Sequence, residues 1–391
     1  MARFSPTSIE ELRDAVATAL VTEEPVEIVA GGSKQGLGRP LQTPRVLDLS
    51  HLSGIREYAA SELVLTAGAA TPLAAIERVL AENRQMLAFE PPDWRGLLGS
   101  GGGSEPTLGG TLACNLAGPR RIKAGAARDH FLGFSGVNGN AEIFKAGGKV
   151  VKNVTGYDLC KLLAGSYGTL AALEEVTVKV LPRPETEATV RVSGIASQPA
   201  VRLMTAALGS PHEVSGAAYL PAERSVALRV EGPGPSVAFR SQALRDELAS
   251  GSGADIVGDA QSQAMWRSIG SVAPLADLPG RAVWRVSVAP SRGAELAEAI
   301  GWQLDTAWFL DWGGGLVWLA VPEEGDGGAA IVRSAVAGAG HATLVKASPA
   351  LRRAVAVFEP QAPALAALSR RVKEAFDPRH ILNPGRMVEG V

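Results

Sequence analysis

Two cysteines, five histidines and 5% aromatic residues among 391 leave little material for several kinds of chemistry. Cys114 and Cys160 lie far apart and outside any C-x-x-C pattern, so the chain cannot by itself ligate an iron–sulfur cluster or a four-cysteine zinc site. Both thiols read as small packed groups. His51, His130, His212, His341 and His380 are scattered without metal-ligand spacing, and no metal site is expected. A formal charge of −2 and a pI near 6.3 give no broad field for a polyanion, which excludes nucleic-acid binding as a main role. No apolar run approaches the roughly 18 residues of a membrane span, and the opening Met1-Ala-Arg-Phe-Ser-Pro6 lacks the basic-then-apolar order of a secretory leader. A cytoplasmic chain is expected, touching the inner membrane only peripherally and through partners. Neither G-x-G-x-x-G nor G-x-x-x-x-G-K-[ST] occurs, so the two commonest phosphate loops are missing as well.

What is present is glycine, and it is not spread evenly. Glu27-Ile-Val-Ala30 reads as a strand running into Gly31-Gly-Ser-Lys-Gln-Gly-Leu-Gly38, a loop able to turn tightly and offer backbone N–H groups to an anion. A second loop, Gly109-Gly-Thr-Leu-Ala-Cys-Asn-Leu-Ala-Gly118, reads as a turn entering a short helix, with small residues that admit a flat ligand or its diphosphate. Gly99-Ser-Gly-Gly-Gly-Ser104, by contrast, has linker composition and reads as a mobile insertion. With 46% hydrophobic residues the chain can bury two or three cores.

Strands and helices alternate through the first third. Ser8-Ile-Glu-Glu11 has the capping-box pattern ahead of an amphipathic helix carrying Ile9, Leu12, Val16 and Leu20. Val46–Leu49 and Leu63–Thr66 read as strands, and Thr71-Pro72 as the N-cap and first residue of a helix to about 81. After Pro182-Arg-Pro184 the texture changes. Strands at Thr189–Val192, Ser225–Val230, Ala282–Val288 and Leu316–Ala320 alternate with helices near 198–208, 236–249, 292–300 and 328–337, which predicts a separate sheet-and-helix unit. Trp302, Trp308, Trp312 and Trp318 are expected in its core or at an interface.

Taken in order, the two loops, Gly148-Lys-Val-Val-Lys-Asn-Val-Thr-Gly-Tyr-Asp-Leu-Cys-Lys-Leu162, Gly165-Ser-Tyr-Gly-Thr-Leu170 and Phe376-Asp-Pro-Arg-His-Ile-Leu-Asn-Pro-Gly-Arg-Met387 resemble the vanillyl-alcohol-oxidase-type (PCMH-type) FAD-linked oxidases. Leu310-Asp-Trp-Gly-Gly-Gly-Leu-Val-Trp318 and Gly340-His-Ala-Thr343 narrow the resemblance to the FAD-binding subunits of bacterial glycolate oxidases. It is strong over 1–182 and at the C-terminus and thinner through 185–300. The resemblance implies an α+β fold: a two-lobed PCMH-type FAD-binding domain over 1–182, a cap domain with an antiparallel sheet over 183–350, and a segment over 351–391 that returns to the flavin.

The resemblance also implies residue roles. Ala30, Gly31, Gly32, Ser33, Lys34, Gln35, Gly36 and Leu37 would form the first pyrophosphate loop, and Gly109, Gly110, Thr111, Asn115 and Gly118 the second. Arg128 and Asp129 would lie close to FAD, Gly168, Thr169 and Leu173 near its adenine-ribose side, and Asn383 and Arg386 near the isoalloxazine. The first loop lacks the histidine that tethers flavin in some relatives, so non-covalent FAD is expected; Cys114 is a conceivable tether, with packing its plainer role.

Oxidising a 2-hydroxy acid, glycolate or D-lactate, needs a cation for the carboxylate and a base for the hydroxyl proton. Related dehydrogenases use a histidine cluster, H-x-G-D-G-N-x-H, where this chain reads Ala339-Gly-His341-Ala-Thr-Leu-Val-Lys346 with one histidine. His341, Tyr157 and Lys152 are the catalytic candidates, with Asp158 beside them; a structural turn at Gly156 accounts equally well for the last three. Direct oxidation on this chain and a relay role beside a second FAD-containing subunit both stand, and the thin histidine set favours the relay. An iron–sulfur partner is implied, and a stand-alone oxidase of another small 2-hydroxy acid or alcohol is the alternative.

Overall fold

Residues 2–148, 156–248 and 253–389 are described by the structure, a computed structural model. Ser8 Oγ accepts from Glu11 N (3.2 Å) and starts the first helix, Ile9–Thr22, which buries Leu12, Ala15, Val16 and Ala19. The Glu11 carboxylate reaches one residue further than a capping box would, to Thr7 N (2.7 Å). This helix packs with a three-stranded parallel sheet ordered Ala2–Phe4, Arg45–Asp48, Val26–Val29. A five-stranded antiparallel sheet follows, ordered Ile55–Ala59, Val64–Gly68, Ala171–Lys179, Phe131–Asn138, Ile143–Gly147, with the helix Leu73–Glu82 packed into its core. The N-cap of that helix is Pro72, not Thr71. Thr71 Oγ1 is committed elsewhere, donating to Gly68 O (2.6 Å) and accepting from Gly54 N (2.9 Å).

The fold is α+β, and its third sheet is antiparallel with eight strands: Gly253–Val257, Thr186–Ser193, Ser225–Gly232, Gly216–Leu220, Ala307–Asp311, Leu316–Pro322, Arg281–Val288 and Gly340–Lys346. Strand alternation sorts its side chains onto two faces. Trp284, Val286, Val317, Leu319, Ala342 and Leu344 pack under helices such as Ser197–Leu208 and Gly293–Gly301. Val283, Phe309, Leu316, Trp318 and Val345 take the other face, against Leu37, Trp94, Leu97 and Leu116 of the N-terminal half. By the same alternation Arg285 shares the second face with Val283, and its strand partners place Thr343 and His341 there too, opposite Arg285 and Ser287. Trp312 and Trp318 are buried as expected, whereas Trp302 is 89% exposed.

Two polar joints fix the halves to each other. Arg229 Nη1 and Nη2 donate to the Glu90 carboxylate (2.8 and 3.1 Å), and Arg120 Nε donates to Glu231 (3.1 Å). The C-terminal helix Pro363–Phe376 is anchored by buried Lys373, which donates to Asp377 Oδ2 (2.7 Å), Thr169 O (2.7 Å) and Leu382 O (3.0 Å). The segment beyond it returns to the first sheet through a bridge between Leu382 and Val26.

Candidate functional site

The strand Val26–Val29 delivers the chain into the first glycine loop. Gly31 is required there by backbone approach: a Cβ would collide with the Glu105 carbonyl, and Glu105 N donates to Gly31 O (2.7 Å). Two arginines then hold the loop by its oxygens. Arg352 Nη1 donates to Gly36 O (2.7 Å) and Gly38 O (2.9 Å), while Arg386 Nη1 donates to Gln35 O and Leu37 O (both 3.2 Å) and its Nη2 to Glu27 Oε1 (2.7 Å). With the carbonyls tied down, the N–H groups of Gly32, Lys34, Gln35 and Gly36 have no intramolecular acceptor among the described residues. Such a run of free donors is an anion nest.

Ala30, Gly31, Gly32, Ser33, Lys34, Gln35 and Leu37 line a cleft of about 800 Å³, joined by Gly109, Gly110, Gly168, Leu173, Asn383 and Arg386. Gly36 faces the adjoining cleft of about 1420 Å³. Lys34 makes no ion pair among the described residues; its Nζ reaches only Ser33 Oγ, at 3.3 Å, and burial lowers its pKa. A half-buried ammonium without an ion-pair partner among the described residues and a row of free N–H donors suit the diphosphate of a dinucleotide.

The remaining expected residues hold loops together without lining the cleft. Thr111 Oγ1 donates to Thr107 O (2.9 Å) inside the helix Leu108–Ala113, and Asn115 Oδ1 accepts from the backbone N–H of exposed Arg128 (3.0 Å). Gly118 O accepts from Trp312 Nε1 (3.2 Å), Asp129 Oδ2 from Ala126 N (2.8 Å), and Thr169 O from Lys373. Asn383, buried and already named among the cleft residues, also clamps two segments: its Oδ1 accepts from Ile28 N and its Nδ2 donates to Tyr167 O, each at 2.8 Å.

The structure adds residues that composition hid. Glu105, Thr107 and Tyr167 line the cleft, together with Cys114, already considered as a tether. Gly99–Ser104, expected as a mobile insertion, borders the adjoining cleft, and Ser100 Oγ donates to Ser33 O (3.0 Å), tying this stretch to the first loop. Burial pushes the Cys114 thiol up to about 11, making it a poor nucleophile.

The catalytic candidates do not gather. Lys152 lies outside the described residues, and Tyr157 is 95% exposed and lines no part of the cleft. His341 lies on the sheet face that meets the N-terminal half, is exposed, and is not among the residues lining the cleft; partial desolvation, then the nearby Arg285, lower its pKa and favour the neutral imidazole. Among the described residues no three His, Cys, Asp or Glu side chains form a metal-sized cluster.

Residues 2–147 match the family model of the FAD binding domain, and 352–387 that of the C-terminal domain of FAD linked oxidases. The glycolate oxidase subunit GlcE of Escherichia coli K12 is 36% identical over 97% of this chain and 97% of its own length. The glycolate oxidase subunit GlcD of Bacillus subtilis is 33% identical over 48% of this chain and 38% of its own. In fold, the chain is similar to p-cresol methylhydroxylase (TM-score 0.71, 15% identity, 99% of this chain and 88% of that one) and to 4-ethylphenol oxidase from Gulosibacter chungangensis (0.68, 14%, 99% and 89%). Identity that low speaks for the fold alone, a PCMH-type FAD-binding unit with a cap. The end-to-end relative and the two matched domains decide the rest: this chain belongs to the FAD-linked oxidase family, and FAD is its cofactor.

Proposed function

We propose that this chain is the FAD-binding subunit of a glycolate oxidase complex, serving the oxidation of glycolate to glyoxylate and passing the electrons to partner subunits. The carrying observation is the 36% identity to GlcE over 97% of both chains, a match that includes the sheet-and-helix half as well as the cofactor loops. The cleft agrees with it. Gly32, Lys34, Gln35 and Gly36 would hold the diphosphate through N–H groups and one ammonium, with Arg352 and Arg386 keeping the loop in that posture. FAD would be held non-covalently: the first loop offers no histidine, and the Cys114 thiol is too weakly acidic to attack.

Bound FAD supplies the hydride acceptor for the α-carbon of a 2-hydroxy acid. The protein's part is to hold the carboxylate and take the hydroxyl proton; His341, whose neutral form is favoured, is the base proposed for the second task. With two cysteines the chain has no cluster of its own for onward transfer. A second FAD-containing subunit and an iron–sulfur subunit are the proposed recipients, and any membrane contact would be theirs, since no helix among the described residues is long and apolar enough to cross a membrane. The test is anaerobic addition of glycolate to the chain alone and to the chain purified with its partners, following flavin absorbance. Bleaching in the complex is expected. A complex whose flavins stay oxidised with glycolate overturns this reading, and bleaching by D-lactate alone would move the substrate assignment.

A further inference from the structure

Arg121 and Arg285 come from opposite halves of the molecule, the short helix Arg121–Ala124 and the strand Arg281–Val288, and meet over one ring. Their guanidinium carbons lie 4.3 and 5.1 Å from the Trp312 ring centroid. Neither guanidinium makes a hydrogen bond or ion pair with any described residue; the bonds these residues form are those of the backbone. Segments 149–155 and 249–252, outside the description, contain no acidic side chain to supply one. Burying a cation without a counter-charge is unfavourable, and placing two around one tryptophan more so. Burial and then Arg121 push Arg285 down to about 10. The groups facing the pair are Tyr167, Asp311, His341, Asp129 and Arg128; Asp311 is itself pushed up by burial, to about 7, and Asp129 caps Ala126.

Tyr167 ties this corner to the cofactor cleft. The residue lines the cleft, its ring packs on the apolar cluster that contains Trp312, and its hydroxyl has no hydrogen-bond partner among the described residues. From this we infer that Arg121 and Arg285, held on Trp312 with Tyr167 beside them, are a receptor for a small carboxylate, distinct from the phosphate-binding loop. Planar guanidinium forks match a carboxylate in two-point fashion, and the aromatic ring fixes them while leaving their N–H edges to the ligand. Identifying that carboxylate with the one carried by a 2-hydroxy acid rests on the function proposed above; the anion site itself does not.

The probe is oxalate, which resembles the substrate and cannot be oxidised by hydride loss. Titrated into the flavin-loaded chain, it should perturb the flavin absorbance saturably. Arg121→Met and Arg285→Met should each weaken oxalate binding about 10- to 100-fold, the range expected for losing hydrogen bonds to a charged group, with FAD content unchanged. Arg121→Lys and Arg285→Lys, which keep the charge and lose the fork, should fall between. The site is overturned if oxalate does not bind the wild-type chain, if either Met variant binds it unchanged, if inorganic phosphate binds as tightly as oxalate, or if the Met variants lose flavin, which would make the arginines cofactor ligands. In the purified complex the two claims separate. Glycolate oxidation with an unchanged KM in both Met variants sinks the site and leaves the function, whereas arginine-dependent oxalate binding in a complex that ignores glycolate sinks the function and leaves the site.

Discussion

Arg229 and Arg285 project from the same face of the eight-stranded sheet, and each lies over a tryptophan, Arg229 at 4.7 Å from the Trp266 ring centroid and Arg285 at 5.1 Å from that of Trp312. Their surroundings differ in one respect, the supply of carboxylate. Arg229 meets Glu90 and Ser215, with Glu231 next to it, and despite burial Arg229 and Arg120 hold the Glu231 carboxyl down to about 2. Arg285 forms no ion pair among the described residues; the groups around it are Arg121, Tyr167, Asp311, which burial pushes towards its neutral form, and His341. A buried arginine that has its carboxylates is a joint, here between the sheet and the loop carrying Glu90. One that lacks them is stable only if something else supplies the charge, and beside a cofactor cleft that something is a ligand.

The largest effect should come from breaking the compensated side. Glu90→Ala leaves Arg229 buried with its main partner gone, and the expected loss is about 3–5 kcal/mol in urea unfolding. A loss below about 1 kcal/mol would mean that Glu231 alone satisfies Arg229, and the contrast between the two arginines would collapse.

Asp311 lies between the two sites and sharpens the comparison through pH. Burial raises its folded-state pKa from 3.8 to about 7. The native state therefore keeps a proton that the unfolded chain gives up, and stability falls as pH rises from near 3.8 towards 7, then levels off. Asp311→Asn can still accept from Trp312 N, as Asp311 Oδ1 does at 2.7 Å, and should remove that decline. The variant is expected to gain about 3 kcal/mol on wild type between pH 4 and pH 7. Parallel pH profiles would show that Asp311 is ionised in the fold and already serves as the counter-charge of Arg285.

Smaller still is the stability effect of Arg285→Met. Removing a half-buried charge that has no ion-pair partner, while keeping an unbranched side chain, should leave stability within about 1 kcal/mol of wild type, or raise it. A loss as large as that of Glu90→Ala would make Arg285 a second structural joint.

The contrast also marks what could be read from the sequence. The first glycine loop was legible because a strand followed by closely spaced glycines has few uses, and Ala30–Leu37 do lie at the clefts. Its orientation was not, since that depends on Arg352 and Arg386 reaching back across more than 300 residues to four carbonyls. Gly99–Ser104 has the composition of a linker, yet one hydroxyl ties it to Ser33. Two tyrosines ten residues apart look alike on paper: Tyr157 is exposed, while Tyr167 lies on Phe358 (5.0 Å between ring centroids) and faces the cleft, a choice made by a contact from the distant C-terminal segment. The four strands missing from the sequence reading, two at the sheet's edges and two inside it, are short or begin at glycine, and sheet pairing rather than local pattern defines them. An unpaired arginine is the least legible feature of all, because the absence of a partner is a property of the whole packed face.

The finest test asks whether the carboxylate reader and the proposed base share one site. Partial desolvation and then Arg285 lower the His341 pKa below its ordinary 6.5. The unfolded chain therefore takes up a proton here more readily than the native one, so this contribution to stability is present above pH 6.5 and is lost as pH falls below it. Arg285→Met removes one cause of the depression and should raise the His341 pKa, read from imidazole resonances in an NMR pH titration. Oxalate bound to the wild-type chain should move it in the same direction, because an anion on Arg285 screens the same charge. If neither change moves His341, the arginine pair and the histidine act apart, and the hydroxyl proton of a 2-hydroxy acid held at Trp312 must leave through another group.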